Sequence, residues 1–404
     1  MAFIRPFRAV RPAPERAQAV SSVPYDVVNT EEARQLASGN PLSFLHVTRS
    51  EIDLPAGTDP YSAGVYARAR ENFAALEKQA MVTDSEPALY FYRLRMGAHE
   101  QTGVTGCFSV DEYERDVIKK HERTRRDKED DRTRHIVETR AQTGVVFLTY
   151  KQSNAVDAIA RTVTAGAPLY DFTAADGIHH TIWKADAKQS AALVDAFSRI
   201  PYLYIADGHH RAASAARARG EMRARGDAQQ ADSFIAVAFP DNQMQILPYN
   251  RLVKDLAGQT PDAFLAALRR QFPVRDGSPS SAGKGHVSVY LAEKWYDVDL
   301  SKTLPADRSR AAALDVALLQ QHVLEPLLKI GDVRTDKRID FVGGARGTAA
   351  LEKAVNTGSA AVAFSMHPVT IDDLMSIADE GGIMPPKSTW FEPKLRDGLL
   401  VHLI

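Results

Sequence analysis

Two hydrophobic periods alternate along this chain. Around Tyr66, Phe73 and Leu76 the apolar residues return at spacings that place them near one helical face. This predicts a helix from Ser62 to Met81, with a shorter one from Glu31 to Ala37 before it. The segment ahead of both, Arg5 to Asp26, is proline-rich and predicted extended. Ala88 to Met96 (ALYFYRLRM) reads as a strand, and Gly103 to Val110 as its hairpin partner, because Gly97 and Gly103 bracket a short polar turn. The charged stretch Asp111 to Arg140 is predicted helical. It gives way at Gly144 to an apolar strand, Val145 to Tyr150.

From Asn154 helix and strand patterns alternate. A helix Ala187 to Arg199 leads to a strand Tyr202 to Ala206, a short loop, and a helix Arg211 to Arg219 that Gly220 is expected to stop. Strands follow at Gln229 to Val237 and Met244 to Pro248. Asp276 to Gly285 (DGSPSSAGKG) is the most linker-like stretch and suggests a soft boundary. Beyond it the pattern predicts strands His286 to Leu291, Trp295 to Val298 and Ala360 to Ser365. It also predicts helices Ala311 to Leu328, Gly347 to Asn356 and Ile371 to Glu380, and a closing strand Leu399 to Leu403. The expected class is α/β with a mixed sheet. Three regions are expected: an N-terminal α+β region over 1–150, a central region over 151–275, and a C-terminal α+β region over 276–404.

Composition narrows the function more than the fold. Of 404 residues, 44% are hydrophobic and 25% charged, as in an ordinary globular chain. Lys plus Arg (50) nearly balance Asp plus Glu (51), so no chain-wide positive field exists to hold nucleic acid in bulk. Any anion site must be local. The lone Cys107 cannot form an internal disulfide, and the charged, proline-containing N-terminus does not resemble a secretory peptide. No apolar run approaches a membrane span, and the expected location is cytoplasmic.

Two glycine-rich stretches imitate nucleotide motifs. In Gly277 to Gly285 a Gly-Lys pair is present, but Gly285 stands where a P-loop needs Ser or Thr. Gly343, Gly344 and Gly347 follow a strand, Ile339 to Val342, yet do not fit G-x-G-x-x-G. Tyr204 to Arg211 (YIADGHHR) differs in kind: an apolar strand ends in an Asp-Gly turn and runs directly into an alanine-rich helix. Amides at a helix start lack intrahelical acceptors and attract anions, and open α/β sheets bind ligands at such strand ends. Gly208 would let a ligand approach the backbone, Arg211 would grip two oxygens, His209 and His210 add donors, and Asp207 offers a carboxylate. The bland alternative is a capped turn with solvated histidines.

In IKKHERTRRDKEDDR, Arg125 replaces the second histidine of the zinc-protease pattern begun by His121 and Glu122. Lys128 and Arg132 would share a helical face, and a salt-bridged solvated helix is the bland reading. Near the C-terminus, MPPKSTWFEPK places Lys387, Ser388, Thr389 and Lys394 in a proline-stiffened loop.

Taken together, VPYDVV (Val23 to Val28), IKKHERT with the following DKEDDR, LYIADGHHR, PYNRLV and MPPKSTWFEPK resemble a bacterial and archaeal family known as domain of unknown function 1015, over nearly the whole chain. The DGHHR box also resembles the loop of free-serine kinases, which share a fold with ParB and sulfiredoxin proteins and phosphorylate L-serine from a nucleotide. That resemblance implies a ParB/sulfiredoxin-like core around the box, with N- and C-terminal α+β extensions. It carries Asp207, Gly208, His209, His210 and Arg211 over as a nucleotide-phosphate site. The kinase's upstream acidic residue has no clear counterpart, and Asp171 and Asp176 are the candidates.

The implied function is a nucleotide-dependent kinase acting on a small hydroxyl metabolite, free L-serine being the named guess, with ATP or ADP and Mg2+ as cofactors. Arg211 would clamp phosphates, His209 and His210 would support them, and Asp207 would bind magnesium or take the hydroxyl proton. Glu122 is a further catalytic candidate. Gly208, His121, Lys128, Arg132, Lys387, Ser388 and Thr389 are the candidates for holding the cofactor. Two other readings stand beside it: a ParB-like nucleotide-binding regulator without kinase activity, and a metal-dependent hydrolase built on Asp207, His209, His210 and His180. A small-molecule substrate and a nucleotide are the expected partners, without a membrane, and an oligomer is open.

Overall fold

A computed structural model describes residues 2–226, 230–303 and 309–404. Gln229, where the predicted strand Gln229 to Val237 begins, lies outside them. The chain forms two compact units, Met1–Met244 with Pro393–Ile404, and Gln245–Glu392.

The first unit is organised by a nine-stranded mixed sheet. Across it the strands run Ile118–Lys119, Leu203–Asp207, Val146–Tyr150, Ser233–Pro240, His99–Ser109, Tyr90–Met96, His179–Lys184 and Tyr170–Thr173, with Ile4–Arg5 also pairing to His99–Ser109. The mixed α/β class is as expected. The Tyr90–Met96 hairpin is tighter than predicted, because Met96 already pairs with His99 across Gly97, whose φ of 59° suits a glycine turn. Leu203 and Ile205 join Leu148, Phe108, Phe197 and Phe234 in the main apolar core. The helix His209–Ala224 adds Ala212 and Ala215 to that core, and these short side chains let it lie close to the sheet. It runs through Gly220 rather than stopping there.

The charged stretch is the main departure. A single helix over Asp111 to Arg140 is expected, but the chain forms a short helix Val110–Glu114, a strand Ile118–Lys119, an irregular loop, and a helix Arg126–Thr139. Asp116 in left-handed conformation (φ 57°) breaks the first helix, and the apolar Ile118 is fully buried against the sheet edge. That edge strand pairs in parallel with Leu203–Asp207, Ile118 facing Leu203 and Lys119 facing Tyr204. Parallel pairing brings whatever follows the two strands to the same end of the sheet. His121 and Glu122 are thereby delivered beside the Asp-Gly turn.

The second unit contains a six-stranded sheet ordered Val274–Asp276, Lys294–Asp299, His286–Leu291, Val362–Ser365, Tyr249–Val253 and Ile339–Gly343, with every neighbour antiparallel. The linker-like stretch at 276–285 lies inside this unit, joining two strands of one sheet. Ser280 and Ser281 from it line a cavity of about 290 Å3 together with Gly344, Gly347, Thr348 and His367, so the two glycine-rich stretches meet. The predicted closing strand Leu399 to Leu403 reduces to His402–Leu403, paired with Ala141–Gln142 in the first unit.

Candidate functional site

The YIADGHHR segment forms a strand, a left-handed glycine and a helix start, as predicted. Gly208 has φ 97°, and a Cβ there would sit 3.1 Å from Arg211 Nε and 3.2 Å from its Cζ. Glycine is therefore required both for the turn and for the guanidinium packed beneath it. Gly144 clears space for the same side chain, since a Cβ there would approach Arg211 Cδ to 3.1 Å.

Arg211 is placed differently from the expected clamp. Only 6% of its side chain is exposed, and it donates to the Val145 carbonyl through Nη1 and to Asp26 Oδ2 at 3.4 Å through Nη2. Asp207 Oδ1 lies 3.5 Å away. Its Nε has no hydrogen-bond partner. Burial works against the guanidinium's charge, but the neighbouring Asp26 and Asp207 carboxylates outweigh it and hold the group firmly protonated. In this arrangement Arg211 braces three chain segments under the loop.

Asp207 carries its own counterions. Lys394 Nζ donates to Oδ2 at 3.0 Å, and Arg211 lies on the other oxygen. Burial would raise its pKa, but these two cations prevail and hold the carboxyl well below the usual range. It remains ionised at any physiological pH and is a poor proton acceptor. Both carboxylate oxygens already face a cation.

Next to it stand two buried histidines. The rings of His121 and His209 meet edge to face with centroids 4.4 Å apart, and the His121 backbone N–H donates to His209 Nε2 over a long 3.3 Å. His209 Nδ1 faces Glu122 Oε2 at 4.0 Å, with the glutamate side chain 40% exposed. His121 is 2% exposed, and neither of its ring nitrogens has a hydrogen-bond partner. Burial pushes the His121 imidazole down to about 4 and His209 well below its usual value, so both rings are neutral near pH 7. His121, Glu122 and His209 present ligand atoms that all lie within 4.8 Å of one another, a set that can hold a metal ion. His210 points elsewhere and accepts the Arg125 backbone N–H at 2.9 Å.

The remaining candidates divide. Lys128 donates to the Tyr61 hydroxyl at 2.6 Å. Arg132 is bound to Asp131 at 2.8 Å through both Nε and Nη2, and lies 4.1 Å from the centroid of the Tyr25 ring. Lys394 joins the Asp207 cluster, whereas Lys387, Ser388 and Thr389 belong to the second unit. There the Lys387 carbonyl accepts from Arg251 at 2.9 Å, and Ser388 donates to the Pro385 carbonyl at 2.5 Å. Asp176 pairs with Arg396, and Asp171 with His179 at 2.7 Å. His180 is held by Tyr92 and Arg396. The group that could hold an ion, His121, Glu122 and His209, shares only His209 with the ligands expected for the hydrolase reading.

Sequence reasoning named Lys394 in the proline-stiffened cluster without a specific role, and assigned none to Asp26 or Asp397. Asp26 sits in the family box VPYDVV, which was the available signal. Asp397 had none, since an Asp-Gly pair is ordinary turn chemistry. It is 1% exposed, exchanges backbone hydrogen bonds with Ser22 at 3.1 and 3.0 Å, and leaves Oδ2 unpartnered. Burial pushes its carboxyl up to about 7 against the pull of Arg211.

No curated protein matches the sequence. Among solved structures, C-terminally truncated SbnI from Staphylococcus aureus is similar at 12% identity and TM-score 0.40, covering 74% of this chain and 87% of its own. A conserved hypothetical protein from Pyrococcus furiosus gives 13% identity, TM-score 0.35, and 74% and 95% coverage. Free serine kinase in complex with AMP gives 12%, 0.36, and 74% and 91%. Likenesses of this size carry no argument about chemistry. The family described as protein of unknown function (DUF1015) matches residues 4–317, well over half of the sequence, and the chain belongs to that family.

Proposed function

We propose that the chain is a nucleotide-dependent kinase of a small hydroxyl metabolite, with the DGHHR loop as its phosphate site. One observation carries this reading. A helix start opened by a left-handed glycine shares one end of the sheet with Lys394, with Asp207 and with the half-exposed Glu122. Phosphoryl transfer asks for positioning and charge neutralisation, and this end of the sheet offers both. The helix start and Lys394 would hold the phosphates of ATP or ADP, and magnesium carried by the nucleotide would neutralise their charge. Asp207, too acidic to be a base, orients Lys394 and Arg211. Glu122 is left to take the hydroxyl proton, and Arg211 holds the loop rather than the ligand. L-serine is named as substrate because the DGHHR box resembles that of free-serine kinases.

Calorimetric titration with ATP, ADP and CTP, followed by an assay for phosphoserine with serine supplied, tests the reading. Nucleotide binding with product formation is expected, and Glu122→Gln should lower turnover about a hundredfold. Binding without any phosphorylated product would favour a nucleotide-binding regulator. Absence of nucleotide binding would remove both.

A further inference from the structure

We infer that His121, Glu122 and His209 form a binding site for a divalent transition-metal ion of the zinc or cobalt class, separate from any magnesium carried by a nucleotide. Both ring nitrogens of His121 are buried without a hydrogen bond of good geometry, although the Ile205 backbone lies close enough to favour the protonated ring. Buried polar groups are almost always well satisfied, so an imidazole left in this state points to a missing partner. The ring stands edge to face with His209, and the half-exposed Glu122 closes the third side at the solvent boundary. Two imidazoles and one carboxylate are a ligand set for zinc, cobalt, manganese or iron, whereas magnesium prefers an all-oxygen shell. Three protein ligands leave at least one coordination position open, as in catalytic rather than structural sites.

The geometry asks for a modest closure. Ligands about 2.0–2.2 Å from a tetrahedral ion stand roughly 3.4 Å from each other, so atoms now within 4.8 Å must draw in by about 1 Å along flexible side chains. His209 Nε2 at present accepts the His121 N–H, which places its proton on Nδ1. An ion bound at Nδ1 moves that ring proton to Nε2 and gives up a long, weak hydrogen bond.

The test uses the full chain stripped with a chelator, without nucleotide. Titration with CoCl2 followed by visible absorption, and with ZnCl2 by calorimetry, should give one equivalent bound with micromolar affinity or better. His121→Ala and Glu122→Gln should each weaken it at least tenfold. Should His121→Ala fail to fold, Glu122→Gln decides alone, since that side chain is half exposed. If Glu122 serves only as the base proposed above, Glu122→Gln lowers turnover and leaves ion affinity unchanged, which overturns the site and spares the kinase reading. Absent or substoichiometric binding, or binding that survives both substitutions, also overturns it.

Discussion

His180 and His121 are buried in the same unit to nearly the same degree, 0% and 2% exposed, and their surroundings treat them in opposite ways. His180 has both nitrogens engaged. Tyr92 Oη lies 2.9 Å from Nδ1, and Arg396 Nε donates to Nε2 at 3.2 Å. Arg396 in turn binds Asp176 and gives its backbone N–H to Tyr92 at 3.3 Å, so the chain of bonds closes on itself. Burial first, and then the charge of Arg396, hold that imidazole down to about 2. His121 has no such network. A closed network stabilises and fixes geometry, whereas a buried group left open costs free energy that only a ligand recovers. Solvent exposure does not separate the two histidines, and hydrogen-bond satisfaction does.

The largest effect should come from opening the closed network. Arg396→Ala removes the donor to His180 and the partner of Asp176 at once, and should destabilise the first unit by about 3 kcal/mol. Chemical denaturation monitored in the first unit would measure it. A loss under about 1 kcal/mol would mean that the network is ornamental and the contrast with His121 false.

Asp397 tests the same distinction through pH. Its folded pKa of about 7 lies above the unfolded carboxyl value, so the folded state binds the extra proton between roughly pH 4 and 7. Its contribution is therefore fully present below pH 4 and is lost as pH rises through 7. The buried neutral histidines His121, His135 and His402, lowered to about 4, run the other way as pH falls from 6.5. The informative quantity is thus the difference between variants. Relative to wild type, Asp397→Asn should gain about 2 kcal/mol on going from pH 5 to pH 8. Parallel stability curves for the two proteins would mean that Asp397 is ionised throughout.

Gly208→Ala comes next, at roughly 1–2 kcal/mol, because a left-handed backbone gains a Cβ pressed against Arg211. Thermal unfolding would show it, together with loss of nucleotide binding if the loop holds phosphate. Unchanged stability would show that the guanidinium can move aside, and that its bracing contacts to Val145 and Asp26 are weak.

Much of the fold and the local shape of the candidate site were legible in the sequence, for reasons that differ along the chain. The helix Ala63–Ala80 and the strand His286–Leu291 follow from local periodicity, and the strand-glycine-helix of the loop from turn chemistry. The charged stretch misled because its composition is that of a solvated helix while a two-residue strand in it, Ile118–Lys119, is fixed by pairing with residues 203–204, distant in sequence. That same pairing places His121 and Glu122 beside His209. In the inferred metal site, the failed zinc-protease pattern supplies two members and the third lies far downstream. Lys128 and Arg132 read as ligand candidates from the sequence, but charge alone does not say that Lys128 meets the Tyr61 hydroxyl and Arg132 the Asp131 carboxylate.

The smallest effect on stability should belong to the residue with the largest effect on metal binding. Replacing His121 by leucine removes two poorly satisfied nitrogens from a buried position and substitutes an apolar side chain of similar size. The desolvation cost of the idle imidazole disappears, and the lost edge-to-face contact with His209 is replaced by ordinary packing. His121→Leu should therefore lie within about 1 kcal/mol of wild type in the metal-free protein, on the stabilising side. With zinc or cobalt present the order should reverse, because only the wild-type chain gains stability from the ion, by RT ln(1 + [L]/Kd). Measuring both proteins with and without the ion gives four melting curves and one crossing. If His121→Leu is strongly destabilising without metal, the two nitrogens have partners after all, and His121 belongs with His180 among the satisfied histidines.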